Sequence, residues 1–278
     1  MVTPLTPLTL MAVHAHPDDE AISTGGVLAR AATEGIRTVV VTSTNGELGD
    51  GPGRVKPGEE GHDEAEVVAI RRVELEKACK ELGVDHLEML GYHDSGMVDW
   101  SYKDQPDVFS QVPVGEAAAR LSELFERYRP DVVITYEEDA AYDHPDHVQT
   151  ARVTIAAMDA TPIPKKLYQA AMSIQHWEHV MAALKEAGID MPFPEPEPEF
   201  IQRMAQTQDR ITTTVDVSAF IDRKRAAVSA HASQMDQTFF TGMPAETFEL
   251  AFGREHFIRA RDTTGAPLPE EDLFAGLR

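Results

Sequence analysis

Short apolar runs alternate with helical patterns through the first half of the chain. The runs LTLMAVHA (8–15), RTVVVTST (37–44) and DVVITY (131–136) are rich in apolar and β-branched residues on both faces, as strands covered on both sides require. A short strand, HLEML, lies between the second and third runs. Helical spacing is found over residues 21–35, 62–83, 114–130 and 147–160. This alternation predicts an α/β fold, a Rossmann-like doubly wound and mostly parallel sheet.

The second half of the chain is less regular. KLYQAAMS and ITTTVDVS suggest further strands, RKRAAVSAHASQ (223–234) a helix, and MPFPEPEPEFIQ an extended, solvent-facing segment. At 278 residues, the chain suits one large α/β domain with an elaboration. We expect a metal-binding core over 1–160 and an irregular C-terminal part over 161–278. The C-terminal part would complete the sheet and border the substrate pocket within one continuous domain.

Polar clusters follow four of the predicted strands, at the point where each strand ends. They are HAHPDDE, TNGELGD, GYHDSGM and YEEDAAYDHPDH. The carboxyl ends of parallel strands meet at one edge of a sheet, where α/β proteins bind their ligands. The four clusters therefore predict a single site at that edge.

Composition excludes several classes of function. The chain has 25 Lys and Arg against 47 Asp and Glu, a net charge of −22, which argues against a nucleic-acid partner. The single cysteine, Cys79, excludes a disulfide framework and a thiolate cluster, and its helical context suggests a buried small side chain. With neither a signal peptide nor a membrane span in the sequence, we expect a cytoplasmic protein with a small-molecule partner.

Two of the polar clusters resemble each other: HPDDE at 16–20 and HPDH at 144–147. Each places histidine and aspartate around a proline at a strand-to-helix turn. Imidazole and carboxylate together suit Zn²⁺ or another divalent metal, and a catalytic zinc needs three protein ligands. Alternatively, Asp18, Asp19 and Asp146 only begin helices, as aspartate commonly does, while the histidines pack. Because both motifs fall at adjacent strand ends, we favour the metal site.

The motifs, in this order, resemble the zinc-dependent deacetylases of the PIG-L type, which remove acetyl from N-acetylglucosamine-containing substrates. TSTNGELGD, RRVELEKACKELGV, HDSGM and KRAAVSAHASQ extend the resemblance over about the whole chain. Within the family, the chain is most similar to the branch of N-acetylglucosaminyl-inositol deacetylases and mycothiol S-conjugate amidases.

The resemblance implies three metal ligands and four catalytic residues. The ligands are His16, Asp19 and His147, and the metal is Zn²⁺, although two histidines and an aspartate also accommodate Fe²⁺. The catalytic residues are Asp18 as general base, Tyr142 and His144 as groups that stabilise the oxyanion and help the amine leave, and Asp146 as a carboxylate that orients His144.

Other residues receive a role from the resemblance with an alternative beside it. Glu47 and Arg71 would face the sugar or its aglycone, but Arg71 could instead pair with Glu74 or Glu76 on its own helix. Asp94 would contact substrate or steady a site histidine, or simply form an Asx turn.

Four further polar residues lie close to these motifs in the sequence or in the predicted fold. His14 and His231 are interpreted as structural, and Glu20 as a favourable charge in the first turn of a helix. Asp143 stands where close relatives carry glycine, so it could raise the pKa of His144 or narrow the pocket.

The favoured function is therefore deacetylation of an N-acetylglucosamine-type substrate, with inositol as a candidate aglycone. An amidase acting on a larger amide, such as a mycothiol S-conjugate, is the alternative within the same chemistry. Ser23 stands where the amidase branch carries lysine, which favours the deacetylase. A nucleotide-binding protein is disfavoured because the first loop has no G-x-G-x-x-G. A non-catalytic carbohydrate-binding module is disfavoured because the ligand set and base are complete.

Overall fold

A seven-stranded sheet forms the centre of the protein in a computed structural model, which describes residues 7–189, 195–235 and 237–278. The strands are β1 (Thr9–His14), β2 (Arg37–Thr44), β3 (His86–Tyr92), β4 (Val132–Tyr136), β5 (Lys166–Ala171), β6 (Thr213–Asp216) and β7 (Arg254–Asp262). Their order is β3-β2-β1-β4-β5-β7-β6. Of the seven described strands, β7 alone runs opposite to the other six, so the predicted α/β class with a mostly parallel sheet is confirmed.

Helices cover both faces of this sheet. They are α1 (Asp19–Ser23), α2 (Gly25–Thr33), α3 (Glu64–Leu82), α4 (Val114–Tyr128), α5 (Pro145–Ala160), α6 (Ile174–Glu186), α7 (Pro198–Gln208), α8 (Ile221–Ala230), α9 (Gln237–Gly242) and α10 (Ala245–Phe252). Among the described helices, none is long and apolar enough to cross a membrane.

Strand β1 shows how the sheet divides the core. Its successive side chains point to opposite faces, so Leu10 and Ala12 join a cluster with α2, α3 and α8, whereas Met11 and Val13 join one with α4 and α5. All six residues of β1 are buried, since this strand lies inside the sheet, between β2 and β4. The loops that leave β1 and β4 therefore emerge side by side.

Buried polar contacts attach the C-terminal part to the core. Glu255 of β7 accepts hydrogen bonds from the backbone N–H groups of Gly26 (2.7 Å) and Val27 (2.9 Å), which satisfies the first turn of α2. Lys224 of α8 donates to the same carboxylate at 2.6 Å. Gly26 must be glycine here, because a Cβ would lie 2.3 Å from Val217.

Two details differ from the sequence predictions. The helix predicted over 21–35 is two helices, because Thr24 leaves helical geometry and its hydroxyl hydrogen-bonds to His14. The extended segment predicted over 191–202 is wrong from residue 198, where α7 begins with Pro198 in its first turn, a position that proline suits. Its residues 191–194 lie outside the described residues.

Candidate active site

The loops after β1 and β4 bring three potential metal ligands together. His16 and Asp19 come from the first loop and the start of α1, and His147 from the first turn of α5. Asp19 Oδ2 lies 3.4 Å from His16 Nδ1, and Asp19 Oδ1 lies 3.3 Å from His147 Nε2. One ligand atom from each residue falls within 4.8 Å of the others. Two imidazoles and a carboxylate converging in this way fit a catalytic zinc, for which such a site leaves a fourth position open.

Tyr136, at the end of β4, packs against the potential ligand His147 and the backbone of the first loop. Its ring stacks on His147 with centroids 4.1 Å apart. Its hydroxyl accepts a hydrogen bond from the backbone N–H of Ala15 and lies 3.0 Å from His14 Nδ1. His14 thus uses one ring nitrogen on Tyr136 and the other on Thr24, outside the ligand group. The sequence analysis missed Tyr136, whose only signal was its place at a strand end.

Asp18 lies beside the ligands in an unusual backbone conformation. Its φ of 130° is one of three positive values found at non-glycine residues in the described chain. Its N–H donates to Glu20 Oε2 (3.0 Å), and its carboxylate accepts from Arg71 Nη2 (3.1 Å). Burial raises the pKa of Asp18 to about 6, against the opposing effect of Arg71. A carboxylate with a raised pKa suits a general base that works near neutral pH.

Arg71 holds two loops together. Besides Asp18, its guanidinium donates to the carbonyls of Pro17 (2.6 Å) and Gly46 (2.7 Å), and the side chain is buried. The alternative pairing within its own helix is absent: Glu74 accepts from Ser233, and Glu76 from Arg72. Arg71 therefore positions the loop that carries Asp18, and the substrate contact expected of it stays a prediction.

A buried pair lies behind Asp18. The Glu20 carboxylate, which accepts a hydrogen bond from the Asp18 N–H, also lies 2.6 Å from His231 Nε2. The side chains of Glu20 and His231 are fully buried. Burial opposes the charge of His231, but the Glu20 carboxylate raises the pKa of that imidazole. His231, at the end of α8, thus connects the C-terminal part to the motif at residues 16–20. The sequence analysis gave it only a packing role, because its partner lies 211 positions away.

His144 caps the N-terminus of α5. Its Nδ1 accepts a hydrogen bond from the backbone N–H of Asp146 (3.2 Å), and its ring lies edge-on to that of His16, with centroids 4.5 Å apart. Burial, together with His16, lowers the pKa of His144 to about 2. A neutral imidazole that accepts at Nδ1 carries its proton on Nε2, where it can serve as a hydrogen-bond donor.

Two expectations about the surroundings of His144 need correction. The Asp146 carboxylate was expected to orient His144. Instead it hydrogen-bonds to His16, with Asp146 Oδ2 3.1 Å from His16 Nε2. The hydrogen bond between Asp146 and His144 is made by the backbone N–H of Asp146. Asp143 was expected to raise the pKa of His144 or to narrow the pocket. Its carboxylate instead turns outward to Arg203 of α7 at 3.2 Å, and the pKa of His144 is lowered.

The remaining predicted residues lie around the ligands. Tyr142 is 43% exposed, and its ring lies 5.0 Å from that of His147, so it stands at the mouth of the site. Asp94 accepts from the Gly96 N–H (2.8 Å), which is the Asx turn given as the alternative to a site role, and its Oδ1 is 3.8 Å from His16 Nε2. Glu47 is buried, with Oε1 2.8 Å from His93 Nδ1 and Oε2 without a hydrogen-bond partner among the described residues.

Cys79 has no part in the site. It is buried in α3, and burial raises the pKa of its thiol. An inert thiol agrees with the packing role expected from the sequence.

Comparison with known proteins identifies relatives over the full length. The model of the family PIG-L, GlcNAc-PI de-N-acetylase, matches residues 11–158, which include all three potential ligands. A 1D-myo-inositol 2-acetamido-2-deoxy-alpha-D-glucopyranoside deacetylase from Acidothermus cellulolyticus is 40% identical over 97% of this chain and 95% of its own.

Solved structures share the fold at lower identity. N,N'-diacetylchitobiose deacetylase from Pyrococcus horikoshii superposes with a TM-score of 0.59 at 19% identity, over 91% of this chain and 84% of its own. The 4-carboxy-2-hydroxymuconate hydratase of Pseudomonas putida gives 0.61 at 17% identity, over 94% and 99%. A deacetylase and a hydratase thus share this architecture, so the reaction must be argued from the site and not from the fold.

Proposed function

Since the chain belongs to the PIG-L family of GlcNAc-PI de-N-acetylases, we propose that it hydrolyses the N-acetyl group of an N-acetylglucosamine conjugate whose aglycone is myo-inositol. The observation that carries this proposal is the convergence of His16, Asp19 and His147 beside a partly buried acid, Asp18. The inositol aglycone is supported by the Acidothermus cellulolyticus relative, which aligns with nearly the whole chain.

We propose that His16, Asp19 and His147 hold Zn²⁺, with Fe²⁺ as the other metal that this ligand set accommodates. When bound, such a metal polarises a carbonyl and lowers the pKa of water from near 16 to about 7. The chain must then supply a base for the water proton, donors for the developing oxyanion and a proton for the leaving amine.

The chain's own residues divide these tasks. Asp18 takes the water proton. Arg71 holds the carboxylate of Asp18 in place, and Glu20 holds its backbone N–H. His144 donates from Nε2 to the oxyanion, and Tyr142 donates from the mouth of the site. One well-placed donor contributes roughly 3–4 kcal/mol to stabilisation of the transition state. The proton that Asp18 accepts is the one available to the leaving amine.

Metal dependence and substrate choice test the proposal together. Protein stripped with a chelator and reloaded with Zn²⁺ or Fe²⁺ is assayed for acetate and free amine. The panel contains N-acetylglucosaminyl-inositol, N,N'-diacetylchitobiose, free N-acetylglucosamine and a mycothiol-type amide. We expect the inositol conjugate to give the highest kcat/KM and the stripped protein to be inactive. Full activity without metal would refute the mechanism. Preference for the larger amide would establish the amidase, and binding without acetate release a non-catalytic module.

A further inference from the structure

Ser95 lies in the loop after β3. Among the described residues it forms no hydrogen bond with a predicted metal ligand, but it is linked to His16 through Asp146. We infer that Ser95 is a positioning residue for the metal site, which acts through Asp146 to fix the tautomer of His16 and so decides which ring nitrogen binds the metal. The inference rests on the metal-dependent function proposed above.

Ser95 holds both oxygens of the Asp146 carboxylate. Its backbone N–H donates to Oδ2 at 2.9 Å and its hydroxyl donates to Oδ1 at 2.5 Å. Both residues are fully buried. Two donors from one residue fix the plane of the carboxylate, and bonds of this charge-assisted kind are about twice as strong as neutral ones.

A third residue fixes the direction of the Ser95 hydroxyl. The backbone N–H of Ser110 donates to Ser95 Oγ at 2.9 Å. A hydroxyl has one proton and can accept at its lone pairs. Because the Ser110 N–H comes from a fixed backbone position, the serine proton is left for Asp146. The carboxylate therefore receives hydrogen bonds at both oxygens and is kept as an acceptor.

This acceptor determines the proton position on His16. Asp146 Oδ2 lies 3.1 Å from His16 Nε2, so the proton of the neutral ring belongs on Nε2. The lone pair then lies on Nδ1, the nitrogen that faces Asp19 at 3.4 Å. A ligating histidine that donates its other N–H to a carboxylate is the usual support of protein zinc sites. Asp94 is farther away, at 3.8 Å, and its Oδ1 already accepts from Gly96.

The same contacts argue against a second cation at this place. His16, Asp94, His144 and Asp146 each offer a ligand atom within 4.8 Å of the others, so by distance alone they resemble a metal site. Both oxygens of Asp146 already accept from Ser95, however, and His144 Nδ1 accepts the Asp146 N–H. The Asp146 carboxylate, held by Ser95, is therefore a hydrogen-bonded support of His16.

The test measures zinc affinity without reference to turnover. Metal-free Ser95→Ala is titrated with Zn²⁺ against a chelating dye, and we expect a Kd about 10–100-fold weaker than that of the parent, the usual cost of losing an outer partner of a metal ligand. Ser43→Ala is the matched control. Ser43 is also fully buried, and its hydroxyl lies 3.1 Å from Thr150 Oγ1 on α5, away from Asp146. It should keep the parent affinity.

A double variant separates this role from a general packing effect. If Ser95 acts only through Asp146, the Ser95→Ala change should have little further effect on Kd in an Asp146→Asn background. In ¹⁵N NMR of the zinc-loaded parent, His16 should be protonated at Nε2. Three outcomes would each overturn the inference. They are an unchanged zinc Kd in Ser95→Ala, a Ser95→Ala change that weakens Kd as much in the Asp146→Asn background as in the parent, and two zinc ions per parent chain. A parent chain that binds no zinc would refute the proposed function itself, and this inference with it.

Discussion

Asp18 and Asp19 are neighbours with different surroundings, and the backbone between them explains why. Asp18 has a φ of 130°, whereas Asp19 begins α1. The reversal turns the Asp18 side chain to Arg71 and the Asp19 side chain to the two histidines. A non-glycine residue in such a conformation costs about 1–3 kcal/mol, and this kind of strain collects at functional sites.

Asparagine substitutions test the two roles better than alanine, because asparagine keeps the size and shape of aspartate and removes its charge. Asp18→Asn should lower kcat by roughly 10²–10⁴-fold and keep the metal, as loss of a general base does. Asp19→Asn should lower metal affinity and activity together. Both are measured as metal content and acetate release at saturating Zn²⁺. An emptied site in Asp18→Asn beside a loaded, slow Asp19→Asn would reverse the assignment.

Arg71 should set the acid limb of the pH–rate profile. The ionised form of Asp18 is the active one, so its pKa of about 6 predicts a rate that falls as the pH drops below that value. Arg71 opposes the rise in the Asp18 pKa, and Arg71→Ala should therefore move the acid limb to higher pH. Arg72→Ala is the control, because Arg72 is half-exposed and Glu76 is its one ion-pair partner among the described residues. An acid limb that is the same in both variants would contradict this role.

The sequence indicated the residues proposed to carry the chemistry but not those that hold them in place. HPDDE and HPDH could be recognised because each motif keeps its ligands within a few positions. Glu20 and His231, by contrast, are 211 positions apart, and Ser95 is 51 from Asp146. Neither serine nor a lone histidine signals its partner in a single sequence. The partner of Asp146 was predicted wrongly for the same reason.

Among the elements, buried parallel strands were the most predictable. β2 was predicted with the bounds that the structure shows, since a run of consecutive apolar and β-branched residues is typical of a strand buried on both faces. β7 was missed because five of the nine residues in REHFIRARD are charged, so it lacks the apolar run by which the buried parallel strands were recognised. The break between α1 and α2 at Thr24 is accompanied by a hydrogen bond between Thr24 and His14 of β1. The spacing of apolar residues along a helix does not reveal a contact of this kind.

The Glu255 carboxylate joins two helices to β7, so its loss should cost more than one hydrogen bond. Glu255→Ala leaves two backbone N–H groups of α2 and the buried ammonium of Lys224 without their acceptor. Breaking a buried ion pair costs about 3–5 kcal/mol of the free energy of unfolding. Asp159→Ala removes an exposed carboxylate paired with Arg261, for which we expect less than about 1 kcal/mol. Urea denaturation of both variants measures the difference, and equal losses would contradict this account.

At the scale of the whole molecule, zinc should act as a stabilising ligand. The proposed ligands come from two loop-to-helix segments that follow different strands, so only the folded chain presents them together. At 100 times Kd, free metal should add about 2.7 kcal/mol to the free energy of unfolding. Tm should rise by several degrees in the parent and hardly at all in Asp19→Asn, as measured by differential scanning calorimetry with and without Zn²⁺. An equal shift in both would place the stabilising metal elsewhere.

The contact between Glu20 and His231 also bears on how the protein is made. During synthesis, the motif at residues 16–20 emerges first, its ligand His147 much later, and His231 only when most of the chain has been translated. A nascent chain therefore contains all three proposed ligands well before it contains His231, so the partner that holds Glu20 behind Asp18 is the last part of the site to be made.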